Sequence, residues 1–232
     1  MNWWSKFKIL SDIACGLSHI HAKKLIHQDF HSGNILNNYS YYITDLGLCK
    51  PADEKSEKYN KNVYGVLPYV APEVLRGKDY TQASDVYGFG IIIYEVINGL
   101  PPYHDMAHDE FLAVKICHGL RPIFSIKIPQ LIEDVIQQCW NADPLKRPTA
   151  EYLYKKFYQW RFKDLWDSDS SEISKQIKEV DEFNKKQPTL TNTLSDTELT
   201  YTTHPQAIYT SRLLNFKNLP EPKNVESLEV LR

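Results

Sequence analysis

Apolar residues recur every three or four positions at the start of the chain. Trp3, Phe7, Leu10, Ile13, Leu17 and Ile20 form one stripe, the signature of a helix buried along one face. After it come two short strand-like pieces, Ile35–Leu36 and Tyr41–Thr44. They are divided by Asn37, Asn38 and Ser40, which favour a turn. The run from Tyr87 to Val96 is apolar nearly throughout and too long for most strands, so it predicts a deeply buried helix. Leu131, Ile132, Val135, Ile136 and Cys139 predict another one-sided helix ending near Trp140.

The character of the chain changes near residue 162. Residues 1–162 mix aromatic, aliphatic, Gly and Pro positions as a folded domain does. Residues 163–232 are rich in Ser, Thr, Asp, Glu and Lys, and are expected to form a largely flexible tail. Two apolar groups interrupt that tail. Ile173, Ile177, Val180 and Phe183 fall at helical spacing, and Leu213, Leu214, Phe216 and Leu219 cluster before Pro220 and Pro222. Each is read either as transient structure in a flexible tail or as a segment that docks back onto the domain.

With 27 basic and 29 acidic residues the formal charge is −2, which supplies no electrostatic drive toward nucleic acid or an anionic membrane. No apolar run approaches the roughly 20 residues that span a bilayer, and Met1 to Lys8 does not read as a secretory signal. Cys15, Cys49, Cys117 and Cys139 form no CxxC pair and are expected to be reduced thiols. With no targeting signal in view, the cytoplasm is the default location. His104 and His108 follow Pro101, Pro102 and Tyr103, so a surface loop is expected there rather than a ligand pair.

The chemistry concentrates in His27-Gln28-Asp29-Phe30-His31-Ser32-Gly33-Asn34. Asp29 is suited to accept a hydroxyl proton, and Asn34 can offer a side-chain oxygen to a metal. Further on, Asp45-Leu46-Gly47 places a second carboxylate after a short apolar strand, with a glycine that lets the chain turn sharply away. Each piece alone is a weak signal. Their order and spacing together are much stronger.

These segments resemble the protein kinases, which carry His-Arg-Asp…Asn, Asp-Phe-Gly and Ala-Pro-Glu in that order. Here the counterparts are His27-Gln28-Asp29…Asn34, Asp45-Leu46-Gly47 and Ala71-Pro72-Glu73. Tyr64 to Val70 resembles the substrate-docking loop, and Ser84 to Gly90 the start of the central helix. Cys139 to Pro144 with Arg147-Pro148-Thr149 resembles the late signature of tyrosine kinases and the tyrosine-kinase-like group.

The resemblance implies a mainly α fold like the C-terminal lobe of a kinase, with a short β-hairpin at the catalytic and magnesium loops. It also implies roles for matched positions. Asp29 would be the catalytic base, with His27 supporting the loop. Asn34 and Asp45 would hold Mg2+ against the phosphates of ATP. Glu73 and Arg147 would form a buried ion pair, and Asp85 would hold the backbone of the catalytic loop. A protein hydroxyl, Ser/Thr before Tyr, is the implied acceptor. A signalling partner on the groove or tail is a further expectation.

Four positions depart from the family pattern. Gln28 replaces the Arg that pairs with an activation-segment phosphate, so dependence on such a phosphate is not expected. His31 stands where serine/threonine kinases place a Lys on the transferred phosphate, and would give that phosphate weaker help. Val66 replaces a Thr and cannot donate to the catalytic Asp. Leu46 for Phe is a conservative apolar change. No Gly-rich loop, strand Lys or paired helix Glu precedes Asp29 in this sequence, so the small lobe is read as absent, and this chain alone is expected to bind ATP poorly and to turn over little or not at all.

The charged stretch from Lys50 to Val63 reads as an exposed loop, with Ser56, Tyr59 and Tyr64 as candidate phosphosites. Two other functions compete. One is a non-catalytic interaction module. The other is a small-molecule phosphotransferase of the aminoglycoside or choline kinase type, which the segments at Ala71 and at Trp140 to Pro148 fit less well.

Overall fold

The computed structural model describes residues 1–53, 63–164, 171–186 and 201–224. Helix α1 (Trp3–Ala22) starts where the Asn2 side chain accepts the Ser5 backbone N–H at 2.8 Å, satisfying one of the open donors of the first turn. Its stripe is inward: Phe7, Leu10, Ile13 and Leu17 are buried. A short strand β1 (Leu25–Ile26) follows, and then a hairpin of β2 (Ile35–Asn38) and β3 (Ser40–Ile43), with Asn37 opposite Tyr41. Strand β4 (Lys50–Pro51) returns to pair with β1.

Strand β5 (Val63–Gly65) leads through a tight turn at Leu67–Tyr69 into the short helix α2 (Pro72–Leu75). Helix α3 (Gln82–Asn98) is longer than the apolar run that announced it. Thr81 and Ser84 exchange side-chain and backbone hydrogen bonds at its start, and Gly99 ends it in the left-handed region. Helices α4 (Glu110–Cys117), α5 (Gln130–Cys139) and α6 (Ala150–Gln159) complete the domain, with a widened turn over Trp160–Asp164. The core forms where α1, α3 and α6 meet: Phe7 and Phe89 each lie about 6 Å from Phe157, at centroid distances of 6.2 and 6.0 Å.

Two described segments beyond residue 162 dock on the domain, the second of the two readings of their apolar groups. Helix α7 (Glu172–Lys186) buries Ile173, Ile177 and Val180, and Asp181 accepts the Trp3 indole N–H at 2.9 Å. Residues 201–224 run along the domain and contribute strand β6 (Arg212–Leu214), which pairs antiparallel with β5. The cause is apolar: Leu214 and Leu219 are buried, so these sparse side chains find a shared surface. Arg76 grips Glu221 through both guanidinium arms, and its Nε donates to the Leu219 carbonyl at 3.2 Å.

The same segment corrects the reading of His108 as part of a surface loop. The residue is buried beneath Gln206–Ile208. Its Nε2 lies 3.2 Å from the Tyr103 carbonyl oxygen, and its Nδ1 lies 2.9 Å from the Ile208 carbonyl oxygen and 3.1 Å from the Ile208 backbone nitrogen. His204 donates its backbone N–H to the His104 carbonyl at 2.7 Å. No helix among the described residues is long and apolar enough to cross a membrane. The four cysteines are free thiols.

Candidate active site

The loop between β1 and β2 carries His27, Asp29, His31 and Asn34, and it is pinned from beneath by α3. Asp85, buried in the first turn of that helix, accepts the His27 backbone N–H at 2.9 Å on one oxygen and the Gln28 N–H at 3.2 Å on the other. The His21 ring meets the same carboxylate at 2.9 Å. These bonds hold Gln28 in the left-handed region (φ 72°), a conformation that costs a non-glycine residue roughly 1–2 kcal/mol. Gly88, one turn along α3, lets the helix press against the loop. A β-carbon there would stand 2.8 Å from the Phe30 carbonyl oxygen.

Asp29 is buried, and its two oxygens differ. Oδ2 faces His31 Nε2 at 3.5 Å, while Oδ1 has no hydrogen-bond partner of good geometry among the described residues. The His31 Nδ1 accepts the Gly33 N–H at 3.1 Å, so the ring hydrogen sits on Nε2, toward Asp29. Both ring nitrogens of His31 are therefore engaged within the loop. Gly33 makes room for this: a β-carbon there would lie 2.8 Å from the His31 ring. Burial pushes the Asp29 carboxyl up. Hydrogen bonding and charge from His31, the Ser211 hydroxyl and the nearby His27 outweigh it, and the carboxyl falls below its ordinary value of 3.8. Asp29 is a carboxylate at neutral pH, ready to accept a proton.

The His27 ring spans the loop to the next segment, donating from Nε2 to the Thr44 carbonyl at 3.0 Å and meeting Phe30 edge-on. Asn34 spends its amide N–H on the Asp29 carbonyl at 2.9 Å, which leaves its oxygen as the outward group. The Asn34 carbonyl takes both the backbone N–H and the hydroxyl of Thr44, at 2.9 and 3.0 Å. Asp45 is the next residue after this clasp. It is exposed, left-handed (φ 58°), and its side chain caps nothing. Among the described residues no group of three or more His, Cys, Asp or Glu could hold a metal. An Asn oxygen and one carboxylate form an all-oxygen donor pair. That fits a magnesium ion, which keeps several waters and takes its remaining ligands from phosphates.

Glu73 and Arg147 meet as a two-pronged buried pair, both contacts 2.7 Å. Arg147 also donates to the carbonyls of Asn141 and Ala83, each at 2.9 Å, so four of its five N–H groups are hydrogen-bonded. Val66 is buried in the wall of the small cavity beneath Asp29, with Tyr69, Val70 and Tyr80. Leu46 is exposed. Tyr64 is also exposed, whereas Ser56 and Tyr59 lie outside the described residues.

Three further side chains sit at the site without having been read from the sequence. Tyr69 donates to Glu95 at 2.6 Å and meets the Ser32 hydroxyl at 3.0 Å, tying the turn at Leu67–Tyr69 to the loop that carries Asp29. Tyr80 donates to the Tyr64 carbonyl. Ser211 acts on Asp29 from the far end of the chain. A hydroxyl-bearing residue three positions before Leu214 was the only hint of the last, and it is a weak one.

Residues 1–157 match the family described as protein tyrosine and serine/threonine kinase. A probable serine/threonine-protein kinase of Dictyostelium discoideum is 34% identical over 155 residues, covering 64% of this chain and 11% of the relative. A second from the same organism is 36% identical over 151 residues, covering 64% and 16%. A protein kinase and PP2C-like domain-containing protein of Arabidopsis thaliana is 31% identical over 173 residues, covering 60% and 26%. The chain thus spans between about a tenth and a quarter of the length of these relatives. With this match over most of its folded part, the chain belongs to the protein tyrosine and serine/threonine kinase family.

Proposed function

We propose that this site transfers the γ-phosphate of ATP to a protein hydroxyl, serine or threonine before tyrosine. The observation that carries this reading is Asp29, a buried carboxylate with one unpartnered oxygen, beside a donor pair of Asn34 and Asp45. In this reading Asp29 takes the acceptor's proton, His31 holds the carboxylate in line, and His27 ties the loop to Thr44 and so to Asp45. Asn34 and Asp45 hold magnesium, which neutralises charge on the phosphates when bound. Leu36, Leu46 and Leu48 are exposed around Asp45, which supports a nucleotide held between this face and a further apolar surface. The serine/threonine preference rests on the names of the relatives, and the tyrosine-kinase-like assignment on the segment from Cys139 to Thr149. His31 and Val66 stand where the usual helpers of serine/threonine kinases are missing, so a modest rate is expected.

The test is phosphate incorporation into casein from Mg-ATP, with wild-type chain and Asp29→Asn compared. Removing the base is expected to cost about 10²–10⁴-fold. Equal incorporation by the two would refute the reading. A melt in Mg-ATP adds a readout independent of turnover: an upward shift lost in Asp45→Asn places the nucleotide at this site.

A further inference from the structure

The stretch Tyr209–Leu214 lies along the loop that precedes Ala71-Pro72-Glu73. Gly65 stands opposite Arg212, Tyr64 opposite Leu213 and Val63 opposite Leu214. Gly65 is next to the catalytic base, since a β-carbon built on it would be 3.8 Å from Asp29 Oδ1. Ser211, the residue before Arg212, follows this register, and its hydroxyl interacts with the Asp29 carboxyl. Both flanks are anchored. Tyr209 donates its hydroxyl to the Pro102 carbonyl at 2.9 Å, and Arg212 donates to the His108 carbonyl. Leu214 is buried, whereas Ser211 stays exposed, open to a second reactant. A buried carboxylate oxygen without a partner, an accessible hydroxyl beside it and an extended strand holding the two together form an acceptor site with its acceptor in place.

We propose that Ser211 is a phosphoacceptor of this chain's own site, presented to Asp29 by the pairing of β6 with β5. The inference rests on the phosphotransfer reading above and names an acceptor for it. The Ser211 Oγ attacks the γ-phosphorus of ATP, and the bond from that phosphorus to the bridging oxygen breaks. ADP leaves with the bond electrons, the hydroxyl proton passes to Asp29, and phosphoserine remains. Because the acceptor strand and the loop that carries Asp29 are one molecule, the transfer is first order in chain.

The experiment incubates the full chain with Mg-ATP and casein over a hundredfold dilution series, and maps phosphate by mass spectrometry. Phosphate is expected at Ser211, at a fractional rate unchanged by dilution, and none in Asp29→Asn. Leu214→Asp, which places a charge in the buried seat, should lower Ser211 phosphate at least tenfold while casein is still labelled. Leu213→Pro, at an exposed position of β6, gives the same test if the first variant folds poorly. Hydrogen exchange without nucleotide should show 63–65 and 212–214 protected in wild type and open in both variants.

Labelled casein with unmodified Ser211 would overturn the proposal and leave the phosphotransfer reading standing. A Ser211 rate that rises with concentration would overturn it too, by assigning the transfer to a second copy. Open 212–214 in wild type would remove its basis. Label on neither casein nor Ser211 would take down both readings.

Discussion

Asp85 Oδ2 lies 2.9 Å from the backbone nitrogen of His27, across 58 residues of sequence. One helix carboxylate thereby fixes the geometry of the loop that bears Asp29. Its other oxygen serves Gln28, whose left-handed backbone would otherwise be under strain. Asp85→Asn keeps one acceptor oxygen and turns the other into a donor facing a donor. We expect a loss of about 1–3 kcal/mol, the cost of a buried N–H left without its acceptor. Urea unfolding measures it, and hydrogen exchange at the 27–28 amides locates it. A variant as stable as wild type, with those amides still protected, would show that Asp85 is not what holds the loop.

The Glu73–Arg147 pair is buried on both sides and joined by two hydrogen bonds. Arg147→Met leaves the Glu73 charge without its partner and should cost about 3–5 kcal/mol. Adding Glu73→Leu to Arg147→Met removes the orphaned charge and should recover much of that loss. A double variant as unstable as the single one would mean that packing around Tyr87, which lies 5.3 Å from the Arg147 guanidinium, matters more than charge.

Gly88→Ala tests the close approach of α3 to the site. Its methyl would press on the Phe30 carbonyl at 2.8 Å and the Tyr69 carbonyl at 3.3 Å, so the helix or both loops must shift. Overpacking of this kind costs about 1–3 kcal/mol. Displacement of Asp29 should also lower phosphate transfer about a hundredfold. Full transfer by a destabilised variant would show that the strain is relieved away from the loop.

Docking of residues 201–224 should depend on pH through His108. Burial holds the His108 imidazole below its ordinary 6.5, against weaker opposition from its two backbone hydrogen bonds. A group that resists protonation in the folded state binds fewer protons there than when released. Its contribution is thus complete above about pH 6.5 and falls away as pH drops below that value. Exchange of the Ile208 amide should accelerate from pH 7.5 to pH 5.5 beyond the correction for intrinsic rates. In His108→Gln the excess should vanish. The same pH response in both proteins would assign it to another group.

Much of the core was legible because helices repeat in short range. The stripe from Trp3 to Leu17 is a helix face, and Ile132, Val135 and Ile136 are another. The order of Asp29, Asn34 and Asp45 was legible for a similar reason: all three lie within one hairpin-sized stretch, and their joining needs only the Thr44 bonds to Asn34. What could not be read depends on distant partners. His108 looked exposed because its cover arrives 100 residues later, at Ile208. Strand β6 is three residues long, too short to show a period, and its partner β5 is three residues as well. The Asp29–His31 relationship turns on which ring nitrogen carries hydrogen, and that is set by a backbone N–H at Gly33.

The clasp between Arg76 and Glu221 joins residues 145 apart. On a ribosome adding roughly 5–20 residues per second, the loop containing β5 is made about 7–30 s before the segment that covers it. Helices of the domain can close in that interval, because α6 is complete at Gln159, well before Arg212 is made. The backbone edge of Val63–Gly65 meanwhile waits unpaired, a template for any extended strand nearby. Nascent chains of this protein should therefore be most prone to mispairing with one another late in synthesis, when the domain is formed but its last strand has yet to emerge.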